Sequence, residues 1–183
     1  MNRGRWLLLA LWPAFWLLPA AASANGTVEG SVKLAGKPPA LPPRAVVKDN
    51  AVCGATKPNE AVLVGAGGGL GNVVVSLRLP KPAGLPPPPT AGAAIDQVGC
   101  TYKPHVQAVT VGTSLTLVNS DRVLHNIHGS IGPVQTFNVA MPIKDQRLPT
   151  KLTRPGLVRL QCDAGHSWMS AWLYVFEDRK SVV

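Results

Sequence analysis

The feature that most constrains the fold of this chain is a succession of short apolar runs separated by turn-forming residues. The runs are rich in Val, Leu, Ile and Thr, and each is bounded by Gly, Pro, Asn or Asp. They lie at residues 27–35, 61–64, 72–79, 106–111, 114–120, 123–128, 134–140, 156–162 and 171–177. Short strands between turns are typical of a β-sandwich or barrel, and no window of about a dozen residues free of Pro and Gly shows helical periodicity. The sequence therefore predicts an all-β chain.

A Pro/Gly-rich stretch divides this pattern into two parts. Residues 80–93 read PKPAGLPPPPTAGA, a composition typical of an extended linker. It separates an N-terminal β segment at 25–79 from a domain at 94–178. Within the first part, GAGGGLG at 65–71 is glycine-rich, but its all-β surroundings favour a hairpin turn over a phosphate-binding loop.

The first 24 residues have the pattern of a secretory signal peptide. Arg3 and Arg5 precede an apolar stretch at 6–18, and small residues occupy the last positions before Asn25. The apolar stretch is interrupted by Pro13 and is shorter than the roughly 20 residues that span a bilayer. We therefore expect cleavage after Ala24, a periplasmic location and no membrane span thereafter, with an uncleaved membrane anchor as the alternative.

Charge and motifs limit the possible partners. The formal net charge is +9, and it becomes +7 when the two arginines of the predicted signal peptide are removed (9 − 2). Because the basic residues are scattered singly, the sequence does not predict a nucleic-acid surface, and the charge favours solubility or attraction to a partner with an acidic face. No Ser/His/Asp order, carboxylate pair or phosphate loop is recognisable, so the chain is not expected to be an enzyme.

The cysteines are odd in number. An exported chain with three cysteines leaves one thiol over after any disulfide. Cys53 and Cys100 lie in turn-rich contexts without a histidine at ligand spacing, so they are expected to pair with each other and leave Cys162 free. In the alternative, Cys162 pairs with one of them and no metal binds.

The segment around Cys162 reads CDAGHSWM and carries a thiol, an imidazole and a thioether. The spacing is Cys162-x3-His166-x2-Met169, on a loop between two predicted strands. Soft sulfur combined with imidazole selects copper, and two His with one Cys and a weak axial Met form the electron-transfer copper arrangement. The second histidine is expected to be His125, which lies at the end of a strand and precedes Asn126.

The other histidines and nearby aromatic residues have simpler interpretations. His128 is three residues from the candidate ligand and should point to the opposite face of its strand. His105 follows a proline at the start of a strand and is expected to be structural. Trp168 and Trp172 flank the loop and should pack around the site.

Several of these motifs together resemble the cupredoxins, the plastocyanin and azurin superfamily of blue-copper proteins. They are VLHN at 123–126, PGLVRLQC at 155–162 and the C-x3-H-x2-M loop. FNVAMP and DQVGCTYKPHV are similar to exported plastocyanin-like domains of the methylamine-utilisation type. The resemblance covers residues 95–177, with a weaker likeness at 47–54. It implies an antiparallel Greek-key β-sandwich, with additional N-terminal strands, and copper at one end held by His125, Cys162, His166 and Met169.

The loop also departs from the plastocyanin pattern. CDAGHSWM is closer to the loop of the binuclear copper domain of cytochrome oxidase subunit two, but that centre needs a second cysteine where this chain has Val158. One thiolate implies a mononuclear site with one copper ion per chain. Because the gap between His166 and Met169 is shorter than in plastocyanin, the sequence does not fix the distance between the copper ion and its axial Met169 ligand.

These inferences predict a periplasmic electron carrier in which copper cycles between two oxidation states. His166 is expected at the exposed edge, as the exit towards a redox partner, and Asn126 is expected to tie its strand to the ligand loop. Two alternatives remain: a copper-tolerance or copper-delivery protein, and a metal-free β-sandwich that serves as a binding module. A delivery site would be open and rich in Met and His, whereas the chain has three Met and four His.

Overall fold

The computed structural model describes residues 29–76 and 93–177. The predicted signal peptide and residues 80–92 of the predicted linker lie outside these ranges. The described residues from Ser31 onward belong to one compact unit. Its elements in chain order are β1 (Arg44–Ala45), α1 (Asn50–Cys53), β2 (Thr56–Lys57), a 3-10 turn (Ala66–Gly68), β3 (Ala94–Gln97), β4 (Tyr102–Lys103), β5 (Val106–Thr110), β6 (Ser114–Asn119), β7 (His125–Ile131), β8 (Val134–Met141), β9 (Gln146–Lys151), β10 (Gly156–Gln161) and β11 (Ser170–Phe176).

Two sheets dominate the described part of the chain. One has five strands in the order β5-β11-β10-β7-β8, and the other has four in the order β4-β3-β6-β9. Strands β3–β4, β7–β8 and β10–β11 are consecutive neighbours, whereas the chain passes from one sheet to the other between the remaining consecutive strands. Most pairs are antiparallel, and the β5–β11 and β3–β6 pairs are parallel. The predicted all-β sandwich is confirmed, with these two parallel pairs added.

The core lies between the two sheets. Along β10 and β11 buried and more exposed residues alternate, because successive side chains of a strand point to opposite faces. Leu117 from one sheet and Leu160 and Leu173 from the other are fully buried and belong to the same apolar cluster. Burying each of these side chains stabilises the fold by about 1.5–3 kcal/mol.

The N-terminal segment contributes less regular structure than the sequence suggests. Strands β1 and β2 form a separate two-stranded ribbon. The apolar runs at 27–35 and 61–64 supply only the isolated bridges Lys33↔Gly69 and Val64↔Leu70, and residues 73–76 form no strand. The second bridge closes the glycine-rich stretch, in agreement with the predicted hairpin turn. Among the described residues, α1 is the one α-helix, and no helix is long and apolar enough to cross a membrane.

Candidate metal centre

The topology brings the candidate ligands to one end of the sandwich. His125 is the first residue of β7, and Cys162 directly follows the last residue of β10. Because β7 and β10 are neighbours in the five-stranded sheet, with Gln161 opposite His128, these two ligands approach each other. His166 and Met169 lie in the loop that leads from β10 into β11.

Two imidazoles and one thiol converge in the interior. The Nδ1 atoms of His125 and His166 lie 3.0 Å apart, and the Cys162 Sγ lies 3.6 Å from the His166 Nδ1. One atom of each residue falls within a group whose members are all within 4.8 Å of one another. Both histidines are fully buried and the cysteine is 6 % exposed. This arrangement can hold one metal ion away from water.

Met169 is placed by the same loop. Its backbone N–H donates a hydrogen bond of 2.9 Å to the carbonyl of His166, which makes the two residues part of one tight turn. Its side chain is buried and belongs to the same apolar cluster as Cys162.

Each imidazole is oriented from behind by a carboxylate. The Nε2 of His125 lies 2.8 Å from the Asp121 Oδ2, and the Nε2 of His166 lies 2.8 Å from the Asp49 Oδ2. An Nε2–H that donates to a carboxylate leaves the other ring nitrogen as the one with a lone pair. When both rings are neutral, both Nδ1 atoms therefore carry lone pairs that face the cluster, which is the state that a metal requires.

Asp121 is itself held by backbone groups. The N–H groups of Gly99 and Cys100 donate to its two oxygens at 2.8 and 2.7 Å. Although burial alone would raise the pKa of Asp121, its hydrogen bonds with His125 and with these amides lower it below the ordinary value. Burial alone would likewise lower the pKa of His125, but its bonds to Asp121 and Cys162 raise it.

The other two donors have lowered pKa values. Burial would raise the pKa of the Cys162 thiol, but the hydrogen bond with His125 and the backbone contacts with Ala164 and Asn126 lower it. The pKa of His166 is lowered because burial disfavours the charged ring and His125 lies beside it, and these effects outweigh the attraction of Asp49. Both shifts favour the metal-binding forms, thiolate and neutral imidazole.

Asn126 connects its strand to the ligand loop, as the sequence predicts. Its Oδ1 accepts a hydrogen bond of 3.0 Å from the backbone N–H of Asp163, the residue after the cysteine. Its Nδ2 donates to the Asn138 side chain, and its backbone carbonyl accepts from the buried Tyr102 hydroxyl. Burial is the main cause of the raised pKa of Tyr102, which keeps that hydroxyl protonated as a donor.

The remaining histidines lie outside the cluster. The His128 Nδ1 is 2.8 Å from the Asp163 Oδ2, and its side chain is 21 % exposed, in agreement with a side chain on the opposite face of β7. His105 lies 3.3 Å from Glu60, and its carbonyl accepts a hydrogen bond from the Trp172 backbone. The ring of Trp168 packs 5.1 Å from that of His166, centroid to centroid.

The cysteine prediction is confirmed. Cys53 and Cys100 form a disulfide, and Cys162 is a buried free thiol. The alternative in which Cys162 is disulfide-bonded is therefore wrong. A second group of donor atoms, Cys100 with Asp121 and His125, also lies close together, but its sulfur is in the disulfide and is not available as a thiolate ligand.

One expectation is wrong: His166 does not lie at an exposed edge. Its side chain has no exposed surface, because residues around Asp49 cover it. Sequence reasoning missed both carboxylates. Asp121 could have been found four residues before His125, but Asp49 is 117 residues from its partner, and only the weak family likeness at 47–54 pointed to that segment.

The donor set fits copper. A thiol, two neutral imidazoles and a thioether nearby are the soft and intermediate ligands that select copper over the hard cations. The buried cluster of His125, Cys162, His166 and Met169 in a two-sheet β-sandwich is consistent with a mononuclear type-1 copper site.

No family model matches this chain, and no curated protein matches it. Among solved structures it is similar to a copper-containing nitrite reductase from Thermus scotoductus SA-01, with 21 % identity, 52 % of this chain, 28 % of that chain and a TM-score of 0.44. It is also similar to a purple cupredoxin from Nitrosopumilus maritimus, with 24 % identity, 46 % of this chain, 99 % of that chain and a TM-score of 0.40. The Cu(I) form of the M51A mutant of amicyanin matches at 23 % identity, 56 % of this chain, 96 % of that chain and a TM-score of 0.40.

The chain thus spans little more than a quarter of the nitrite reductase and nearly all of the two smaller proteins. In all three matches the sequence identity is below 25 % and the TM-score is below 0.5. The fold is therefore described from the strand pairing of this chain alone.

Proposed function

We propose that this protein is an exported mononuclear copper protein that carries single electrons, with one copper ion held by His125, Cys162, His166 and Met169. The observation that carries the proposal is the buried convergence of two imidazole Nδ1 atoms and a free thiol, each at the distance expected of donors that share one ion. Bound copper would supply a one-electron couple. The protein would supply the thiolate, fix both rings through their far nitrogens and exclude water.

The burial of the site favours electron transfer over the alternatives. An electron crosses a thin layer of protein, whereas delivery of copper to another protein requires contact between the ion and new ligands. His125, His166 and Met169 are at most 2 % exposed, which is unsuited to metal exchange. The free thiol argues against the metal-free binding module, since a structural cysteine would need no oriented imidazoles beside it.

Export is supported by the disulfide. Structural disulfides persist in oxidising compartments such as the periplasm and are rare in the cytosol. The Cys53–Cys100 bond therefore agrees with the secretory pattern at residues 1–24.

A partner with an acidic face is supported by a cavity of about 360 Å³ beside the ligand loop. Trp168 and Met169 contribute to its wall. The charged residues that line it are three basic ones and one acidic one: Arg44, Lys57, Arg159 and Glu60. Positive charge near a redox centre attracts negatively charged partners and raises association rates. With the reduced protein, an anionic oxidant should react faster than a cationic one, and Arg159→Glu should narrow the difference; equal rates in the native protein would refute this part of the proposal.

The metal site is tested by loading the metal-free protein with Cu(II) and recording the visible spectrum. Binding of one ion per chain should produce a strong copper–thiolate charge-transfer band. Cys162→Ser should abolish the band, because a hydroxyl is a hard and protonated replacement for the thiolate. Met169→Leu should keep the copper and shift its potential, since an axial ligand tunes the site more than it holds it.

The matched control is His128→Ala. This histidine is only three residues from a proposed ligand, but it contacts Asp163 and lies outside the cluster, so its removal should leave the band nearly intact. A band that depends on His128 and not on His125 would show that the ligand assignment is wrong. Absence of any thiolate band in loaded native protein would refute the electron-transfer proposal as a whole.

A further inference from the structure

We propose that residues 44–57 form a latched cap over the metal centre and that Asp49 in this cap is a positioning residue for His166. The inference rests on the proposed copper site and extends it to a segment outside the ligand loop. The cap has its own closed shape: β1 pairs with β2, the Val46 N–H bonds the Ala55 carbonyl at 3.0 Å, and the Asn50 side chain bonds the carbonyls of Val46 and Gly54.

The key contact is between Asp49 and the imidazole. The carboxylate is 32 % exposed, whereas His166 has no exposed surface, and 2.8 Å separates the Oδ2 from the Nε2. The other sides of the ring are occupied by His125 and Trp168, at centroid distances of 4.8 and 5.1 Å. Asp49 therefore stands between the imidazole and the solvent.

The conformation of Asp49 is not the one that its own helix would favour. Asp49 is the N-cap residue of α1, where an aspartate normally accepts a hydrogen bond from the first turn and stabilises the helix by about 0.5–2 kcal/mol. Here the side chain makes no such bond, and the backbone is left-handed, with φ 54° and ψ 35°. A left-handed conformation costs most non-glycine residues roughly 1–2 kcal/mol, and Asp is among the few that adopt it at single positions. The residue thus forgoes its local bond and adopts a left-handed backbone while its carboxylate contacts His166.

Two further contacts fasten the cap to the ligand loop. The Lys48 Nζ donates a 2.7 Å hydrogen bond to the carbonyl of Ala164. The Lys48 stem lies on Gly165, where an added Cβ would be 3.1 Å from the Lys48 Cδ. Gly165 also has a φ of +94°, so both backbone freedom and space favour glycine there.

The disulfide latches the cap to the sandwich. Cys53, at the end of α1, donates its N–H to the Asp49 carbonyl at 2.9 Å and bonds covalently to Cys100. The N–H of Cys100 in turn holds Asp121, which orients His125. The disulfide thus links the two segments whose carboxylates, Asp49 and Asp121, orient the two histidines.

The cap therefore has two effects. It closes the edge at His166 to external ligands and partners, and it fixes the ring with Nδ1 towards the cluster before metal enters. Outer contacts of this kind change metal affinity by about 10–100-fold when they are removed.

The test uses the metal-free full chain and diethyl pyrocarbonate, which acylates accessible imidazoles, with peptide mapping of each histidine. His128 is the internal reference because its side chain is 21 % exposed. In the native protein, His166 should react at least about tenfold more slowly than His128. Asp49→Ala should remove most of this protection and, by the same outer-contact rule, weaken Cu(I) binding about 10–100-fold in a competition titration. Asp49→Asn should retain much of the protection of His166 and of the Cu(I) affinity, because the amide oxygen can still accept a hydrogen bond from the His166 Nε2–H.

The matched control is Asp145→Ala. Asp145 also has a positive φ, of 63°, and its carboxylate contacts Lys144 and not the site; this variant should behave as the native protein. If Asp49→Ala fails to fold, Lys48→Met, which removes the bond to Ala164, should still raise the reactivity of His166 severalfold. Equal reactivity of His166 and His128 in the native protein would overturn the inference. So would unchanged protection of His166 in both Asp49→Ala and Lys48→Met. A missing thiolate band in copper-loaded native protein would instead overturn the proposed function.

Discussion

Removal of the Cys53–Cys100 disulfide tests how strongly the cap is tied to the sandwich. The proposed change is the double variant Cys53→Ala/Cys100→Ala, which leaves no new free thiol. The two cysteines are 47 residues apart in sequence, so the bond closes a loop of about 48 residues in the unfolded chain. The loss of loop-closure entropy for that length corresponds to about 4 kcal/mol at 25 °C.

That loss is large for a domain of this size, since folding free energies are typically about 5–15 kcal/mol. The double variant of the metal-free protein should therefore unfold at a much lower urea concentration. Tryptophan fluorescence is a suitable probe because the Trp168 indole donates a 3.0 Å hydrogen bond to the Cys100 carbonyl. Beyond residue 24, Trp168 and Trp172 are the chain's tryptophans.

The matched control is Cys162→Ala, also in the metal-free protein. This cysteine is buried like the other two but forms no disulfide, so its truncation should cost only about 1 kcal/mol of lost apolar burial. If the double variant loses no more stability than this control, at an unchanged denaturant slope, the entropic account of the disulfide is refuted.

Three further predictions concern the metal-free protein. Gly129→Ala should destabilise it by about 1–3 kcal/mol in urea unfolding, because the added Cβ would lie 2.6 Å from the Phe137 ring; an unchanged midpoint would mean that the ring moves freely. Tyr102→Phe should cost about 1–3 kcal/mol by leaving a buried carbonyl of β7 without its donor, and a neutral result would show that water replaces the hydroxyl. The lowered pKa of Asp121 gives stability above its ordinary 3.8 that is lost as pH falls through the folded value, and the raised pKa of His125 gives stability below 6.5 that is lost as pH rises through the folded value. Asp121→Asn should therefore lower the urea midpoint most between pH 3.8 and 6.5. It should also reduce the fall of the midpoint below and above this window, and an identical pH profile would contradict this coupling.

Strands that bury one face could be predicted from the sequence, because apolar alternation and burial have the same period. β6, β10 and β11 lie where the runs predict them. β9 was missed because QRLPTK lacks that alternation and contains Pro149. Because β9 lies at the edge of the four-stranded sheet, it can accommodate Pro149, which has no backbone N–H to donate. Conversely, the three apolar residues at 73–75 form no strand, because composition does not supply a pairing partner.

Residues of the metal centre that lie close together in sequence could be predicted, whereas those that meet only in the fold could not. Cys162, His166 and Met169 share one loop, so their spacing alone indicates a ligand set. Asp49 could not be predicted in this way, because its role depends on a contact across 117 residues and its local context resembles an ordinary helix N-cap. Exposure of His166 was predicted from the usual place of such loops, and a segment specific to the N-terminal half of the chain reverses it.

The cap bears on which physiological role the site can serve. With copper bound as proposed, metal exchange would require the cap to open at a point held by Lys48, by Asp49 and, through Cys53, by a covalent bond. Electron exchange requires no opening, but it requires a face where only a thin layer of side chains separates the cluster from solvent. The cavity bounded by Trp168 and Met169 is such a face, and the two ends of the cap, Arg44 and Lys57, form part of its lining. Trp168 is in contact with both the His166 ring and the Cys100 carbonyl. A site that is closed to ligands at His166 and lined by basic residues on its Trp168 side combines the features expected of a carrier rather than of a donor of metal.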